Sequence, residues 1–561
     1  MKKYKKGLCL SLAAAMLAVL PAGCGVKEPD PIYVGGSLIS DRDVIVPEEE
    51  DKYRTFYEIF VYSFYDGNGD GIGDLQGVTE VLDYLNDGDA ATDTDLGITG
   101  IWLMPIMPSD TYHKYDVKDY MAIDPTYGTM EDFETLAAEC KKRDINVIID
   151  LVMNHTSSSH PWFQEACEYL RSIGDGEASA EECPYIDYYN FNKGMKWGYS
   201  QVAGTDWYYE AQFWSEMPDL NLYNENVRAE FEEICRFWLN KGVDGFRLDA
   251  VKEFVTDNTD ANIEILTWLN DMVKSLDPDA YLVGEAWTNQ PEYARYYSSG
   301  MDSLFDFVFA GNEGRIFRLA SGQYAASQYG DYVVTAEQRY AEQNPDYINA
   351  PFYSNHDMDG AAGYYTGDNA QAQVKIAAAL NLTMSGNAFI YYGDEIGMLG
   401  AGIDENKRLG MRWSEDGSAK GTCRGPLAAG QVQQIYGSVA QQQEDVNSIY
   451  WFYKNLIRLR NQFPSIVKGT TTNLAAASDN EICAIEKTYG EETVCLIYNL
   501  SVSEKAVELD KVVLSNGSAL KGKQLESALV TGEVPVAVEG QVMTMPAYSL
   551  AVFLTAEGQG E

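Results

Sequence analysis

The sequence predicts an α/β fold: a parallel (β/α)8 TIM barrel with a small domain inserted after strand 3 and an antiparallel β-sandwich at the C-terminus. Short continuous apolar runs recur between residues 57 and 395, and amphipathic helical segments lie between many of them. Continuous apolar runs are typical of strands that are buried on both faces. After residue 463 the helical pattern stops, and alternating strands bounded by turns replace it.

Eight of the apolar runs fit the barrel strands. In chain order they are Y-E-I-F-V-Y-S-F (57–64), G-I-T-G-I-W-L-M-P (97–105), I-N-V-I-I-D-L-V-M-N-H (145–155), V-D-G-F-R-L-D (243–249), A-Y-L-V-G-E-A-W (280–287), F-D-F-V-F-A (305–310), P-F-Y-S-N-H-D (351–357) and N-A-F-I-Y-Y-G-D-E (387–395). Because functional residues of such barrels lie at the C-terminal strand ends, the polar residues that end these runs are site candidates.

Helical periodicity between the strands is clearest in four segments. These are Glu131–Arg143, Glu225–Asn240, Asn262–Leu276 and Asn369–Met384. Thr129 and Asp132 have the spacing of a capping box at the start of the first segment. Strands that alternate with helices in this way favour a parallel sheet.

The chain divides into five predicted parts. A signal peptide (1–24) and a spacer rich in Pro, Asp and Glu (25–53) precede the barrel, which takes residues 54–155 and 224–463. Residues 156–223 are too long for an ordinary strand-to-helix connection and are rich in aromatic residues, so they predict an inserted domain. Residues 464–561 form the predicted β-sandwich.

The N-terminus has the features of an export signal. A basic start precedes the apolar run Leu8–Leu20, which is too short to be a permanent membrane span. The run ends in L-P-A-G-C and resembles a bacterial lipoprotein signal, which implies a lipid on Cys24. Ordinary secretion with cleavage nearby is the alternative. In either case we expect the mature protein outside the cytoplasm, and by the resemblance it contacts the membrane only through its N-terminal lipid.

Composition excludes some partners. The formal net charge is −44, and the signal peptide removes lysines but no acidic residue, so the mature chain repels nucleic acid and anionic lipid surfaces. A neutral or cationic substrate is therefore expected. The cysteines after Cys24 are scattered and lack C-x-x-C spacing, so they indicate neither a zinc site nor a disulfide framework. Cys483 and Cys495 flank a predicted hairpin turn and could face each other.

Acidic residues end three of the predicted strands. Asp249 ends the fourth run, Glu285 lies near the end of the fifth, and Asp357 ends the seventh. With 85 Asp and Glu residues in the chain, a solvated loop end explains any one of them, but three at separate strand ends indicate a site. Arg247 precedes Asp249 by two residues, so it lies on the same side of the strand, where it would keep that carboxylate ionised. Three of the four histidines also fall in strand-end segments: His113 after the second run, His155 at the end of the third and His356 at the end of the seventh.

Five ordered motifs carry a resemblance to a known family. They are D-L-V-M-N-H, M-P-D-L-N, G-F-R-L-D-A-V-K, G-E-A-W and F-Y-S-N-H-D. From about residue 53 to the end, the chain resembles the α-amylase family of glycoside hydrolases, family 13. M-P-D-L-N resembles the subgroup intermediate between oligo-1,6-glucosidases and neopullulanases, which includes α-amylases.

The resemblance implies a role for each strand-end residue. Asp249 would be the nucleophile, Glu285 the general acid/base and Asp357 the transition-state stabiliser. The implied substrate-binding residues are His113, Tyr115, Asp116, His155, Arg247, Lys252 and His356. Physical chemistry agrees, because retaining hydrolysis needs one charged and one protonated carboxyl group, and Arg247 lies beside Asp249 whereas apolar residues follow Glu285.

The implied reaction is retaining, endo-acting hydrolysis of α-1,4 bonds in starch or maltodextrin. Ala250 follows the nucleophile position, where the family has small residues for α-1,4 and valine for α-1,6 specificity. Asp116, paired with Arg408, could instead cap a chain end and favour short oligosaccharides. Glu253 departs from a histidine that many α-amylases use near a calcium ion, which argues against a calcium site at Asn154.

Two other functions remain open. Within the enzyme class, the alternative is an α-glucosidase or an enzyme similar to neopullulanase and cyclomaltodextrinase, acting on short or branched α-glucans. From another class, a maltodextrin-binding lipoprotein would bind the same substrate without hydrolysis. A binding protein has no need of a nucleophile and acid pair, so the three acids favour the enzyme.

The stretch D-G-N-G-D-G-I-G-D resembles a calcium loop. Side-chain oxygens of Asp66, Asn68 and Asp70, the Ile72 carbonyl and a further oxygen of Asp74 follow the first positions of such a loop. The twelfth position, where a sensor loop has a bidentate Glu, is glycine, so a calcium sensor is disfavoured. The family resemblance implies a structural Ca²⁺ here that takes no part in the reaction; an empty polar turn is the alternative.

Overall fold

Among the described residues a short hairpin comes first, strands and helices then alternate, and antiparallel sheets follow. The computed structural model describes residues 31–48 and 50–556. The strands are β1 Ile32–Val34, β2 Ser37–Ile39, β3 Thr55–Ile59, β4 Gly100–Leu103, β5 Asn146–Leu151, β6 Phe191–Lys193, β7 Tyr199–Gln201, β8 Trp207–Glu210, β9 Gly245–Leu248, β10 Tyr281–Gly284, β11 Ser303–Phe305, β12 Ile348–Ala350, β13 Ala388–Tyr391, β14 Thr470–Asn473, β15 Ile482–Tyr489, β16 Glu492–Asn499, β17 Lys505–Glu508, β18 Gln524–Val530, β19 Ala537–Glu539, β20 Val542–Met545 and β21 Ser549–Ala556.

The helices lie mainly between the barrel strands. They are α1 Val61–Phe64, α2 Leu75–Glu80, α3 Leu82–Leu85, α4 Met130–Lys141, α5 Pro161–Ile173, α6 Glu225–Asn240, α7 Thr259–Leu276, α8 Gln290–Arg295, α9 Arg315–Ala320, α10 Gln328–Ala341, α11 Ala370–Leu382, α12 Val439–Glu444, α13 Ile449–Gln462 and α14 Pro464–Lys468. The predicted capping box of α4 is present, because Asp132 and Thr129 each accept a hydrogen bond from the other's backbone N–H. No helix among the described residues is long and apolar enough to span a bilayer.

Eight parallel strands form the predicted barrel. Their spatial order follows the chain from β3 to β5 and from β9 to β12, and β13 returns to pair with β3. A bridge between Phe352, just after β12, and Phe389 in β13 brings the two edges together. Most of the strand residues are buried, as expected where helices cover one face and side chains fill the other. The fold prediction is confirmed.

Two of the predicted strands are displaced along the sequence. The apolar runs 305–310 and 351–357 were assigned to strands, but β11 and β12 end where those runs begin. Phe305, Phe307, Ala310 and Phe352 pack together inside the barrel mouth. Hydrophobicity therefore continues past the strand ends because loop residues also fill the interior.

The segment between β5 and α6 carries helix α5 and a small sheet. The sheet has the order β6, β8, β7, with both pairs antiparallel. A bridge between His155 and Asp219 joins the two ends of the segment, and a bridge between Tyr189 and Leu220 joins its middle to its C-terminal end. This segment is called the inserted domain below, and it borders the strand-end side of the barrel.

The C-terminal strands form two facing antiparallel sheets. One has seven strands in the order β1, β2, β18, β21, β16, β15, β14, and the other has the order β17, β20, β19. A separate apolar core lies between them and includes Ile497 from the large sheet and Met543 from the small one. Cys483 and Cys495 are free thiols that belong to different cores, so they do not face each other.

The predicted spacer over residues 25–53 is wrong for the part that the structure describes. Strands β1 and β2 form a hairpin, and β2 pairs with β18 at the edge of the C-terminal sheet. Ile39 is buried, and the Ser527 hydroxyl donates to the Leu38 carbonyl at 2.9 Å. Alternating apolar residues and an open sheet edge therefore order this segment, which composition alone had assigned to a linker. The signal peptide and Cys24 lie outside the described residues.

Candidate active site

The parallel ladder brings Asp249 and Glu285 to the same rim of the barrel. Asp249 directly follows β9, and Glu285 directly follows β10. The Glu285 amide donates to the Leu248 carbonyl at 3.0 Å, which continues the pairing of the two strands past their ends. Both side chains face a cleft of about 420 Å³ lined by Tyr115, His155, Phe213, Met217, Asp249, Ala250, Lys252, Glu253, Glu285, Trp287 and Asp357.

One buried arginine joins the two carboxylates. Arg247 donates from Nη1 to Asp249 Oδ1 at 2.6 Å and from Nη2 to Glu285 Oε2 at 2.8 Å. Because Nη1 and Nη2 are neighbours in one planar group, the two carboxylates converge on the same point of the cleft. The two acids therefore lie side by side, as retaining hydrolysis of a glycoside requires.

Glu285 has the properties of a proton donor. Burial raises the pKa of this carboxyl, and the charges of Asp249 and Asp357 add to the effect, whereas Arg247 opposes it. Oε2 also accepts the backbone N–H of Ala250 at 3.0 Å. Ala250 itself has a φ of 47°, an uncommon conformation for a residue with a side chain. A raised pKa keeps a carboxyl group protonated closer to neutral pH, where a general acid works.

Asp357 lies at the opposite wall of the cleft between two cations. Its Oδ1 accepts from Arg408 Nη2 at 2.8 Å, and its Oδ2 lies 3.1 Å from His356 Nε2. Burial alone would raise the pKa of Asp357, but His356 and Arg408 outweigh it and hold the pKa well below its usual range. This carboxylate therefore remains charged throughout the neutral range.

His356 is held by a residue that the sequence analysis missed. Its Nδ1 donates to Glu58 Oε1 at 2.6 Å, and both side chains are almost completely buried. Burial would lower the pKa of His356, but the charges of Asp357 and Glu58 raise it to about 10. His356 is therefore protonated, as an imidazolium, at neutral pH. Glu58 lies in β3, and its only sequence signal is an acid inside an otherwise apolar strand.

Asp150 is a second missed residue. It lies in β5 directly opposite Arg247 in β9, and it accepts from Arg247 Nη1 at 2.8 Å. Burial raises its pKa to about 7, although Arg247 lowers it. The register of two neighbouring strands, with an acid facing an arginine, is the signal that could have found it.

Tyr115 and His155, which the resemblance assigned to substrate binding, both line the cleft. The Tyr115 hydroxyl donates to Asp150 Oδ2 at 3.1 Å and lies 2.8 Å from His356 Nε2. His155 Nε2 is 3.1 Å from the Tyr115 carbonyl, and burial lowers the pKa of His155. His113 is not among the cleft-lining residues; burial lowers its pKa to about 4, and its Nδ1 accepts the Tyr115 N–H.

The structure separates Asp116 from Arg408 and contradicts their predicted pairing. Asp116 is 1% exposed, and it accepts from the Thr111 hydroxyl and, at 3.1 Å, from the Asp110 amide. Hydrogen bonds within its own loop turn this carboxylate away from the cleft, so the prediction of a substrate contact is corrected. Arg408 instead binds Asp357, and it also contacts Asp404 and the Tyr112 hydroxyl.

Lys252 lines the cleft and pairs with its neighbour. Its Nζ lies 3.2 Å from Glu253 Oε1. Among the residues the sequence analysis did not assign to the site, Phe213 and Trp287 line the same cleft. The Trp287 ring is half exposed and stacks on Phe307 with centroids 4.8 Å apart. Trp287 and Asp357 also border a second cavity of about 820 Å³, so the cleft continues past them.

The predicted calcium loop has oxygen donors but also internal partners. Asp66 accepts three backbone N–H groups, from Gly69, Asp70 and Gly71. Asp74 accepts the N–H of Gly67, Asn68 and Gly77 and so caps α2.

Asp66 and Asp74 are both buried, and in residues 31–48 and 50–556 neither carboxylate pairs with a lysine or arginine. Two neighbouring buried carboxylates and a set of hard oxygen donors fit Ca²⁺ chemically. Within the same residues, however, no three His, Cys, Asp or Glu side chains are clustered as metal ligands.

Comparison with known proteins identifies relatives over most of the chain. Residues 58–469 match the alpha-amylase family, described as the alpha amylase catalytic domain. The chain is 36% identical to "Alpha-amylase 3" of Dictyoglomus thermophilum, covering 82% of this chain and 87% of the relative. It is 30% identical to "Glucan 1,6-alpha-glucosidase" of Streptococcus pneumoniae, covering 83% and 94%. The solved structure of "Eubacterium rectale Amy13B" is 47% identical, with a TM-score of 0.86 over 92% of this chain and 98% of that one.

Proposed function

The chain belongs to the alpha-amylase family of glycoside hydrolases acting on α-glucans, and within it we propose a retaining, endo-acting α-1,4-glucan hydrolase that degrades starch or maltodextrin outside the cytoplasm. The observation that carries this proposal is the pair of carboxylates on one guanidinium, Asp249 and Glu285 bound to Arg247. Two carboxylates at one point of a cleft provide the nucleophile and the acid of a double displacement.

The proposed reaction proceeds in two steps. Asp249 attacks the anomeric carbon, while Glu285 gives its proton to the glycosidic oxygen, so the C–O bond to the leaving sugar breaks and a glycosyl ester forms on Asp249. Glu285 then takes a proton from water, whose oxygen attacks the anomeric carbon and releases the ester. Two inversions give net retention. The raised pKa of Glu285, caused by burial, suits it to give and then recover this proton.

The remaining cleft residues have supporting roles. Asp357 stays charged and faces the positive charge that develops on the sugar ring in the oxocarbenium-like transition state. His356 fixes that carboxylate through Nε2, and Tyr115 offers an aromatic face to the sugar. Lys252 contributes a cleft-facing donor, His155 lines the cleft with its Nε2 bound to the Tyr115 carbonyl, and His113 supports the backbone of Tyr115.

The α-1,4 preference rests on Ala250 and Lys252 by resemblance to amylases, and the endo mode rests on the shape of the cleft. Because the cleft continues past Trp287 and Asp357 into a second cavity, a chain could cross the site instead of ending in it.

The competing function is an α-glucosidase or neopullulanase-like activity, which the relative named glucan 1,6-alpha-glucosidase favours. On soluble starch, endo action abolishes iodine staining while little reducing sugar has formed. Parallel loss of stain and gain of sugar would instead indicate chain-end attack.

A maltodextrin-binding lipoprotein without activity is the alternative from another class. The change Asp249→Asn separates the two, because it removes the nucleophile and keeps nearly the same shape. For the enzyme we expect loss of essentially all turnover with glucan binding retained, measured on maltoheptaose by product chromatography and calorimetry. Wild-type protein that binds but never hydrolyses would contradict the proposal.

Two features complete the proposal. We infer that a structural Ca²⁺ is held by Asp66, Asn68, Asp70, the Ile72 carbonyl and Asp74. This is supported by the buried carboxylates of Asp66 and Asp74, neither of which contacts a lysine or arginine among the described residues. When bound, the ion would neutralise these charges and stiffen the loop. We also infer lipid anchoring through Cys24, which is supported by the basic start, the short apolar run and the L-P-A-G-C motif.

A further inference from the structure

Large apolar side chains are exposed on the inserted domain. Trp197 is 86% exposed and Met195 is 83% exposed, while Phe213 and Trp214 are each about half exposed. Exposed tryptophan is costly unless something covers it, and clustered exposed apolar residues commonly mark a binding surface. This cluster, defined as Met195, Trp197, Phe213 and Trp214, is called the rim strip below.

The backbone that carries Trp197 is fixed although the side chain is free. Trp197 lies in a turn closed by a hydrogen bond from the Tyr199 amide to the Lys196 carbonyl at 3.1 Å. The next residue, Gly198, has a φ of 76°, and its carbonyl accepts the Ala211 amide at 2.9 Å. A fixed turn therefore presents an indole ring that the protein does not use for its own packing.

The rim strip is continuous with the cleft. Gly198 lies so close to Gln212 that an added Cβ would approach that side chain to 2.6 Å. Gln212 directly precedes Phe213, which lines the cleft and whose ring lies 5.5 Å from that of His155. The turn that carries Trp197 is thus bound, through Gly198, to the segment that carries Phe213 at the cleft.

We propose that the rim strip binds the part of a long α-glucan chain that extends beyond the cleft. The strip matches this occupant because flat aromatic rings stack on the apolar faces of pyranose sugars, and an uncharged polymer is not repelled by a strongly acidic protein. Continuity with the cleft makes the occupant the same chain that is being cut. The inference rests on the proposed function and adds a binding site for long substrates to it.

The variant Trp197→Ala tests the strip without touching the cleft residues. We expect KM for long-chain amylose to rise roughly two- to tenfold, the loss expected for one stacking contact. Turnover of maltotriose should stay unchanged, because a short substrate in the cleft does not reach Trp197. The variant Trp197→Phe keeps a flat ring and should recover much of the amylose affinity.

The matched control is Tyr489→Ala, which removes a half-exposed aromatic ring elsewhere. Tyr489 lies beside Lys468, which also contacts Tyr53 just before β3, so it is at the end of the barrel opposite to the strand ends. Its kinetics on both substrates should equal those of the wild type.

Equal amylose kinetics of Trp197→Ala and the wild type would overturn the inference, and so would equal losses on maltotriose and amylose. A wild-type protein that hydrolyses neither substrate would instead contradict the proposed function.

Discussion

The change Glu58→Gln should weaken the charged state of His356 and thereby the position of Asp357. Glu58 and Asp357 bind the two nitrogens of the His356 ring, and the Tyr115 hydroxyl also faces Nε2. Asp150 is a further titratable group near this histidine, and the charge of His356 lowers the pKa of Asp150. Glutamine can still accept the Nδ1 hydrogen bond, so the substitution removes charge while largely keeping shape. We expect kcat to fall by about ten- to a hundredfold, as for other residues that orient a contact group.

The same substitution should also lower the free energy of unfolding, by an amount that follows from the raised pKa of His356. Burial alone would lower this pKa, but the charges of Asp357 and Glu58 raise it from 6.5 to about 10. A group whose pKa is raised on folding stabilises the protein fully below its unfolded pKa and loses that contribution as pH rises to the folded value. Loss of one adjacent charge lowers a pKa by roughly 2 units, to about 8, which equals about 3 kcal/mol. The deficit of the variant should therefore disappear between about pH 8 and 10.

Urea unfolding of wild type and variant at pH 8 and pH 10 measures this deficit, and comparison of the two proteins cancels titrations that they share. The control is Glu395→Gln, which removes another buried carboxylate, bonded by the hydroxyls of Tyr57 and Tyr84. Burial raises the pKa values of both tyrosines well above 10, so the deficit of the control should stay constant over this range. A deficit of Glu58→Gln that is equally constant from pH 8 to 10 would refute the assignment of a charged His356.

Two further predictions concern stability. If the Asp66–Asp74 loop holds Ca²⁺, chelation should lower the melting temperature of the wild type by a few °C and leave that of Asp66→Asn unchanged. Scanning calorimetry measures both melting temperatures. Equal shifts in the two proteins would reject the site. Ile39→Ala should lower the free energy of unfolding by about 2 to 4 kcal/mol, because this side chain is buried in the N-terminal hairpin. The control Ile32→Ala changes a side chain that is nearly half exposed, so it should alter the free energy of unfolding by no more than about 0.5 kcal/mol. Equal losses in the two variants would contradict a packed hairpin.

The features that sequence could predict are those encoded by local periodicity. Buried parallel strands give continuous apolar runs, so the sequence predicted the barrel and the order of its strands along the chain. The acids that end those runs could be identified in the same way. Helix α6 has the predicted limits, Glu225–Asn240, because its apolar stripe and its capping Asn224 agree. The limits of β11 and β12 could not be predicted, because the loop side chains that fill the barrel mouth are as apolar as those of the strands.

The features that sequence could not predict depend on partners far apart in the chain. Glu58 and His356 are separated by 298 residues, and nothing local shows that they meet. Arg408 was paired with Asp116, but its position beside Asp357 depends on how two loops cross over the barrel. The N-terminal hairpin is ordered only because a sheet edge is available nearly 500 residues later, at Ala528.

The charge balance of the cleft favours protonation of carboxyl groups near neutral pH. Three cations, Arg247, Arg408 and the imidazolium of His356, face a larger number of carboxylates: Glu58, Asp150, Asp249, Glu285 and Asp357. Arg247 is divided among three of these acids, so it cannot fully stabilise the charge on each one. Asp357 contacts two cations, His356 and Arg408, and its pKa is low despite burial. Glu285 has only a share of Arg247, and burial together with its charged neighbours raises its pKa. Burial also raises the pKa of Asp150, to about 7, so the cluster favours protonation of both carboxyl groups. Of the two, Glu285 faces the cleft, and the proposed mechanism assigns proton donation to it.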